Sequence, residues 1–344
     1  MLEELSNAFG PSGCEGDVRK IVLDAIREVV DEWRVDHLGN VLAVKRGTGR
    51  GAKRMQVQVA AHMDEIGFMV THADADGMLH FVTVGGIDPR ILPTKRVVLG
   101  PKKIPGIIIS PPVHMVPAAK RKQVTPITEL VIDIGAEKKE DAEKTCPKGT
   151  YAVFATSFHK LGRGVVCGKA FDDRAGCFML IELLKRGPYK CDLHAAFTTM
   201  EEVGLRGARV VGYDIKPDVA FVLEGTICED SPKEKDVCSI TELGGGPAIT
   251  LADRGMIVSR KLAQYAVQRA EARGIAYQFK QPGVGGTDAS AIQHSGSGIP
   301  TLPLSVPVRY IHSPASVMSM KDLRLTVDLA EDLIREISSD VLSK

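Results

Sequence analysis

The chain has 344 residues, 44% of them hydrophobic and 25% charged, and its 44 Lys and Arg against 43 Asp and Glu leave a net charge of +1. That length suggests two domains, or one large domain carrying an insertion, with composition enough to bury a sizeable core. The balanced charge argues against nucleic acid as a partner, and no apolar run approaches the ~18 residues of a membrane helix.

The opening residues Met1 to Leu5 lack the basic start and apolar centre of a signal peptide, so a cytoplasmic location is expected. Seven cysteines (Cys14, Cys146, Cys167, Cys177, Cys191, Cys228 and Cys238) are scattered without a C-x-x-C pair and read as free thiols. Cys228 and Cys238 flank a charged loop and receive no role.

Gly10-Pro11-Ser12-Gly13 marks a turn, after which Val18, Ile21, Val22, Ala25, Ile26 and Val29 recur at helical spacing and predict a helix to about Glu32. A hairpin follows, with Trp33 to Asp36 and Val41 to Val44 on either side of Leu38-Gly39-Asn40. Beyond a basic loop, residues 45–54, the run Met55 to Gly67 is a strand that delivers His62, Asp64 and Glu65 at its end. From about Phe68 to Val166, β-rich segments such as Leu79 to Val84 and Arg96 to Leu99 alternate with Gly and Pro turns, predicting a small β-barrel or sandwich inserted into the main domain. Within it, residues 110–126 hold Pro111, Pro112, Pro117, Pro126 and the Lys120-Arg121-Lys122 run, which reads as a mobile basic loop.

At Gly168 the α/β texture resumes, and Cys177, Leu180, Ile181 and Leu184 carry a helix to Gly187, opened by Asp172 or Asp173. Leu193 to Met200 is short and β-favouring and ends abruptly on Glu201 and Glu202. In a straight strand neighbouring side chains face opposite ways, so this pair serves one site only if the chain turns here, which Gly204 permits. A helix-like segment, 208–212, leads to Val219 to Leu223, a buried strand ending on Glu224 and Gly225. After a polar passage, 226–246, come a helix with Leu262, Tyr265, Ala266 and Ala270, the extended run Pro300 to Val308, and a last helix from about Lys321 to Leu342. The expected fold class is α/β, a doubly wound mixed sheet with helices on both faces, interrupted by an inserted small β-barrel-like domain. Residues 1–67 and 165–344 would form the main domain and 68–164 the insert.

His62, the Glu201-Glu202 pair, Glu224 and His312 thus stand at or just beyond predicted strand ends, with Asp172 and Asp173 at a helix start. Each alone has an ordinary reading: a satisfied histidine, a solvated Glu-Glu pair, or an Asp cap contributing ~1 kcal/mol. Together, behind buried apolar strands, they form a charge cluster that calls for a partner such as a metal ion. Imidazole and carboxylate without paired thiolates suit zinc or a similar divalent ion. Asp64, two residues from His62 on one strand face, either accepts the second imidazole N–H and fixes its tautomer or caps a turn. The stretch Gly283 to Asp288 lacks the G-x-G-x-x-G pattern and a following Lys, which argues against a phosphate cradle.

The spacing of Ala61-His62-Met63-Asp64-Glu65-Ile66-Gly67, Phe171-Asp172-Asp173-Arg174-Ala175-Gly176, Met200-Glu201-Glu202-Val203-Gly204, Gly286-Thr287-Asp288 and Tyr310-Ile311-His312-Ser313-Pro314 resembles the glutamyl and tetrahedral aminopeptidase family of dinuclear metallopeptidases. The resemblance covers almost the whole chain, insert included. It implies two divalent metal ions per subunit, zinc first, with cobalt or manganese as alternatives. It further implies His62 on one ion and His312 on the other, Asp172 bridging both, Glu202 beside His312, Glu224 beside His62, and Glu201 as general base. Glu224 stands where the family often has aspartate, one methylene shorter. Asp173, Arg174, Thr287 and Asp288 are expected around the site, with Arg174 equally placed as a surface residue of its helix.

The implied reaction is hydrolysis of the N-terminal bond of peptide substrates. The implied assembly is a homo-oligomer in which the insert makes dimer contacts and dimers build a tetrahedral dodecamer. Rival readings are a deacylase on the same two-metal core and a non-catalytic metal-binding assembly protein, which would have no need of a general base. Side-chain preference is not legible: Glu229 and Asp230 in a rim loop either favour basic substrates or are merely solvated.

Overall fold

A computed structural model describes residues 1–50, 54–112, 114–120, 122–231 and 238–342. Parts of three predicted loops, at 51–53, at 113 and 121, and at 232–237, lie outside the described residues.

The chain opens with α1 (Leu2–Asn7) and α2 (Gly16–Ile26), the latter shorter than its apolar spacing predicts because the backbone turns at Val29, whose N–H bonds the Ile26 carbonyl. The predicted hairpin is β1 (Glu32–Val35) and β2 (Val41–Lys45), and β3 (Gln56–His62) follows. Six strands then close an antiparallel barrel in the order β4-β5-β8-β7-β6-β9: β4 (Gly67–Ala73), β5 (Leu79–Val84), β6 (Arg96–Leu99), β7 (Ile104–Ile109), β8 (Val131–Asp133) and β9 (Tyr151–Phe154). A short α3 (Lys139–Thr145) precedes the last of them. Closure removes the exposed edges that a short β-rich segment would otherwise present. The barrel has its own core, in which Phe68 meets Phe81 and Phe154 edge-on at 5.2 Å between ring centres.

The main domain resumes with β10 (His159–Lys160), β11 (Val165–Gly168), α4 (Phe171–Arg186), β12 (Asp192–Thr198), α5 (Ala208–Ile215) and β13 (Val219–Cys228). It is completed by β14 (Ala248–Thr250), α6 (Arg260–Ala272), β15 (Gln278–Lys280), α7 (Asp288–Gln293), β16 (Thr301–Arg309), β17 (Ser316–Ser319), α8 (Met320–Glu336) and α9 (Ser339–Leu342). The single terminal helix predicted from the apolar spacing is therefore two, parted at Ile337, which is extended. The sheet order is β1-β2-β12-β3-β13-β16-β17-β11-β10, with β14 pairing β15 and β16.

Its centre, β12-β3-β13-β16, is parallel, and the strands there read as continuous buried runs because both faces are covered. The helices α4, α6 and α8 pack together on one side, and α5 and α7 on the other. All four parallel strands present their C-terminal ends at one edge, where loops leave a crevice. Among the described residues no helix is long and apolar enough to cross a membrane.

At the opposite edge, buried Asp192 accepts from Arg54 Nε and the Gly47 N–H, both at 2.7 Å, and from Gln56 Nε2 at 3.2 Å. Burial alone would raise its pKa, but these donors hold it down at about 2. Because the folded value lies below the unfolded one of about 4, the stabilisation is present above pH ~4 and is lost as the pH falls towards 2. Asp192→Asn is expected to lose on the order of 2 kcal/mol at pH 7, with the gap to the parent protein closing in acid. Urea unfolding at several pH values checks this, and a gap independent of pH would contradict it.

Candidate active site

His62, the last residue of β3, is 1% exposed, and its Nε2 lies 3.3 Å from Asp172 Oδ1 and 3.8 Å from Glu224 Oε2. The other oxygen of Asp172 lies 3.5 Å from His312 Nε2, which is in turn 3.2 Å from Glu202 Oε2. Asp172 therefore sits between two imidazoles with one oxygen towards each. His312 Nδ1 is 2.9 Å from the Gly86 carbonyl, an acceptor only, so this nitrogen carries a proton and Nε2 is the atom turned to the centre, with a lone pair to offer once the ring is neutral. His62 Nδ1 faces the Asp64 carbonyl at 3.2 Å and its Oδ1 at 3.4 Å, with the same consequence.

The turn that lets Glu201 and Glu202 share one site is held from the far side by two buried carboxylates. Asp64, 0% exposed, accepts from Glu201 N at 3.0 Å, Glu202 N at 3.1 Å and Ser12 Oγ at 2.6 Å. Asp64 thus holds the backbone of this turn, and its carboxylate also faces the imidazole of His62. Glu15 accepts from Gly13 N at 2.7 Å and Met200 N at 3.2 Å. Glu202 is directed at His312, while Glu201 lines the cavity beside His62, Asp172 and Glu224.

The two aspartates at the start of α4 divide the readings that the sequence left open. Asp173 is the cap: its Oδ1 accepts from Gly176 N at 2.9 Å and from Gly225 N at 3.1 Å, and its Oδ2 from His62 N at 3.1 Å. Asp172 is left free for the imidazoles. Gly225 is required for this approach, because a Cβ there would stand 3.1 Å from Asp172 Cα. Glu224 is not at a strand end as expected. β13 continues to Cys228, since Thr226 and Ile227 keep pairing with β16, so Glu224 projects from the strand interior.

Burial raises the pKa of Glu202 to about 8, and those of Glu201 and Glu224 well above the ordinary carboxyl range, with neighbouring carboxylates adding to the effect. Asp172 is equally desolvated, but His312 and His62 hold its carboxyl below the ordinary range. Burial works against His312 too, yet Asp172 and Glu202 raise it to about 9. The cluster holds more acidic groups than its imidazoles can balance, and Glu224 Oε1 is buried without a hydrogen-bond partner among the described residues. Nitrogen and oxygen donors with a deficit of positive charge fit divalent cations. Ligand atoms of His62, Asp172 and Glu202 lie within 4.8 Å of one another, as do those of His62, Asp173 and Glu224, although the oxygens of Asp173 are already taken by backbone N–H groups.

Eight described non-glycine residues have positive φ, and four of them, Ala170, Met200, Tyr310 and His312, lie within two residues of Asp172, Glu201 or His312. Such conformations cost of order 1 kcal/mol or more each and concentrate where side-chain direction matters more than stability.

Arg174 is neither in the site wall nor on the surface. It is 0% exposed and donates to the carbonyls of Met63, Leu5, Ala8 and Gly10 and to Glu65, which also takes Lys169 Nζ at 2.6 Å. It thereby supplies donors that the end of α1 lacks and ties the N-terminus beneath β3. Thr287 caps α7 and lines the cavity, and Asp288 accepts from Thr198 Oγ1. On the rim, Asp230 is engaged by Arg309 through two hydrogen bonds of 2.6 and 2.7 Å. Ser12, Glu15, Gly86 and Lys280 were not anticipated. Of these only Ser12, in its Gly-Pro turn, left a local trace in the sequence.

The cavity over these groups measures about 320 Å³, ample for the leading residue of a peptide. The sequence pattern of the M42 glutamyl aminopeptidase family matches residues 39–329. A lysyl aminopeptidase of Pyrococcus furiosus is 33% identical over 98% of this chain and 96% of its own. A TET aminopeptidase from a marine sediment archaeon of the Thaumarchaeota superposes with a TM-score of 0.93 at 35% identity, covering 99% of this chain and 97% of that one. The TET1 peptidase of Pyrococcus horikoshii, described as assembling into a tetrahedron or a large octahedral shell, gives 0.85 at 36% identity over 98% of each chain.

Proposed function

The chain belongs to the M42 glutamyl aminopeptidase family and is a peptidase; from that premise we propose that it removes N-terminal residues from peptides at a centre of two divalent ions. His62, Glu224 and Asp172 would hold one ion, and His312, Glu202 and Asp172 the other. The observation that carries this reading is Asp172, placed with one oxygen towards each imidazole while each imidazole has a second carboxylate of its own. Ions held there supply Lewis acidity to a peptide carbonyl and bring the pKa of a water towards neutrality.

Glu201 stands outside both ligand sets and faces the cavity, so its carboxylate takes the proton of the attacking water and delivers it to the leaving amine. Desolvation suits it to that task, because a raised pKa makes a carboxylate a stronger base than an exposed one. Asp64 fixes the backbone under Glu201 and Glu202 together with the ring of His62, so one buried group orients both base and ligand.

Zinc is the ion proposed first, with cobalt or manganese able to replace it. The absence of any disulfide among the described cysteines supports a reducing, cytoplasmic setting. Likeness to TET1 supports a homo-oligomer; on this reading the 68–164 insert makes the dimer contacts and the dimers build a tetrahedral dodecamer. Expected activity is release of free amino acids from unblocked peptides and none from N-acetylated ones, lost on chelation and restored by added metal. Cleavage restricted to N-acylated substrates would favour the deacylase.

A further inference from the structure

Two apolar side chains, Ile227 and Ile311, line the cavity over His62, Asp172 and Glu201, and the same two line a second hollow of about 470 Å³ beside it. The two hollows are neighbours with a wall in common, and Ile311 directly precedes His312 in the chain. Buried Lys280 and Thr287 line the first hollow, whereas the second runs past Cys228, Asp230, Arg309 and Tyr310. Its inner polar groups carry little free charge. Asp230 takes Arg309 Nε and Nη2 at 2.6 and 2.7 Å, and burial raises the pKa of the Cys228 thiol to about 11, which keeps it neutral. Glu229 stands exposed in the same wall. What faces a ligand most closely is therefore two aliphatic side chains and one ring.

That ring is Tyr310, which is 64% exposed and has a φ of 59°. A bulky side chain in the left-handed region is an outlier, and such outliers persist where the direction of a side chain matters. An exposed ring buries little apolar surface, so the fold itself gains little from this one. On the aminopeptidase reading the leading residue of the substrate fills the first hollow, and the bond to be cut lies at the ions. Successive residues of an extended peptide are only about 3.3–3.6 Å apart, so the residue after that bond falls where the second hollow begins. We propose that the second hollow receives the side chain of this residue, laid on the Tyr310 ring against Ile227 and Ile311, and that it favours aromatic and large aliphatic side chains there over glycine and aspartate. The inference rests on the aminopeptidase reading and extends it to the leaving half of the substrate. A Tyr310 that only holds the backbone of His312, or only joins two copies of the chain, would affect all peptides alike.

The test uses the full chain loaded with metal and unblocked tripeptide amides whose second residue is phenylalanine, leucine, glycine or aspartate. The leading residue is held at leucine in one set and at glutamate in another, and kcat/KM is read from release of that residue. The parent protein is expected to favour phenylalanine over glycine at the second position on the order of 10-fold in both sets. Tyr310→Ala should abolish most of that ratio, and Tyr310→Phe should keep it, since the platform needs the ring and not the hydroxyl. A parent protein that cleaves the glycine and phenylalanine peptides equally well overturns the proposal, and so does an unchanged ratio in Tyr310→Ala. Should that variant fold poorly, Ile227→Ala repeats the measurement from the opposite wall, and an unchanged ratio there counts against the proposal in the same way. Cleavage of N-acetylated but of no unblocked peptide would instead bring down the aminopeptidase reading, and this inference with it.

Discussion

Glu201→Gln is expected to bind the same two equivalents of metal as the parent protein and to lose on the order of a thousandfold in kcat. The amide is isosteric and keeps the backbone N–H that Asp64 accepts, so the turn carrying Glu202 should stay in place. What it cannot do is accept a proton from water and release it to a leaving amine. Metal content by elemental analysis and turnover on an unblocked peptide separate the two effects. Ordinary turnover in this variant would remove Glu201 from the role of base, and loss of metal would make it a ligand.

Asp172→Ala is expected to lose both ions and, with them, essentially all activity, because this one carboxylate faces both imidazoles. Glu224→Ala provides the contrast. It should weaken one ion only, leaving about one equivalent bound, since Glu224 approaches His62 and lies among no ligands of the second ion. Two equivalents retained by Asp172→Ala would exclude its bridging place. The cap of α4 belongs to Asp173, so the alanine variant should keep its helix, and circular dichroism checks that a loss of metal is not a loss of fold.

The parallel core of the sheet was legible because its strands are buried on both faces, which writes them into the sequence as unbroken apolar runs ending on charge. The barrel was legible as a change of texture, from helical spacing to short β segments between Gly and Pro turns. Single polar residues were harder where their meaning depends on distant backbone. Asp172 and Asp173 are chemically identical neighbours, and only the Gly225 and His62 N–H groups, contributed by β13 and β3, decide which of them is the cap. Arg174 looked like a surface or site residue because most of its partners are backbone carbonyls, those of Leu5, Ala8, Gly10 and Met63, which carry no side-chain signal. Glu15 and Gly86 were invisible for the same reason, one serving backbone N–H groups and the other acting through its own carbonyl. The end of β13 was misplaced because a glycine after a glutamate reads as a stop, whereas here it admits the start of α4.

Gly85 and Gly86 follow directly on the barrel strand β5; the Gly86 carbonyl sets the ring of His312, while Gly85 leaves only 3.3 Å between its missing Cβ and the side chain of Glu202. The barrel is therefore not an interchangeable cassette. A chimaera that trades it for the barrel of a relative would have to carry the 85–86 turn across in register. A chain trimmed of the barrel would lose the group that orients His312, however well the remaining sheet folded.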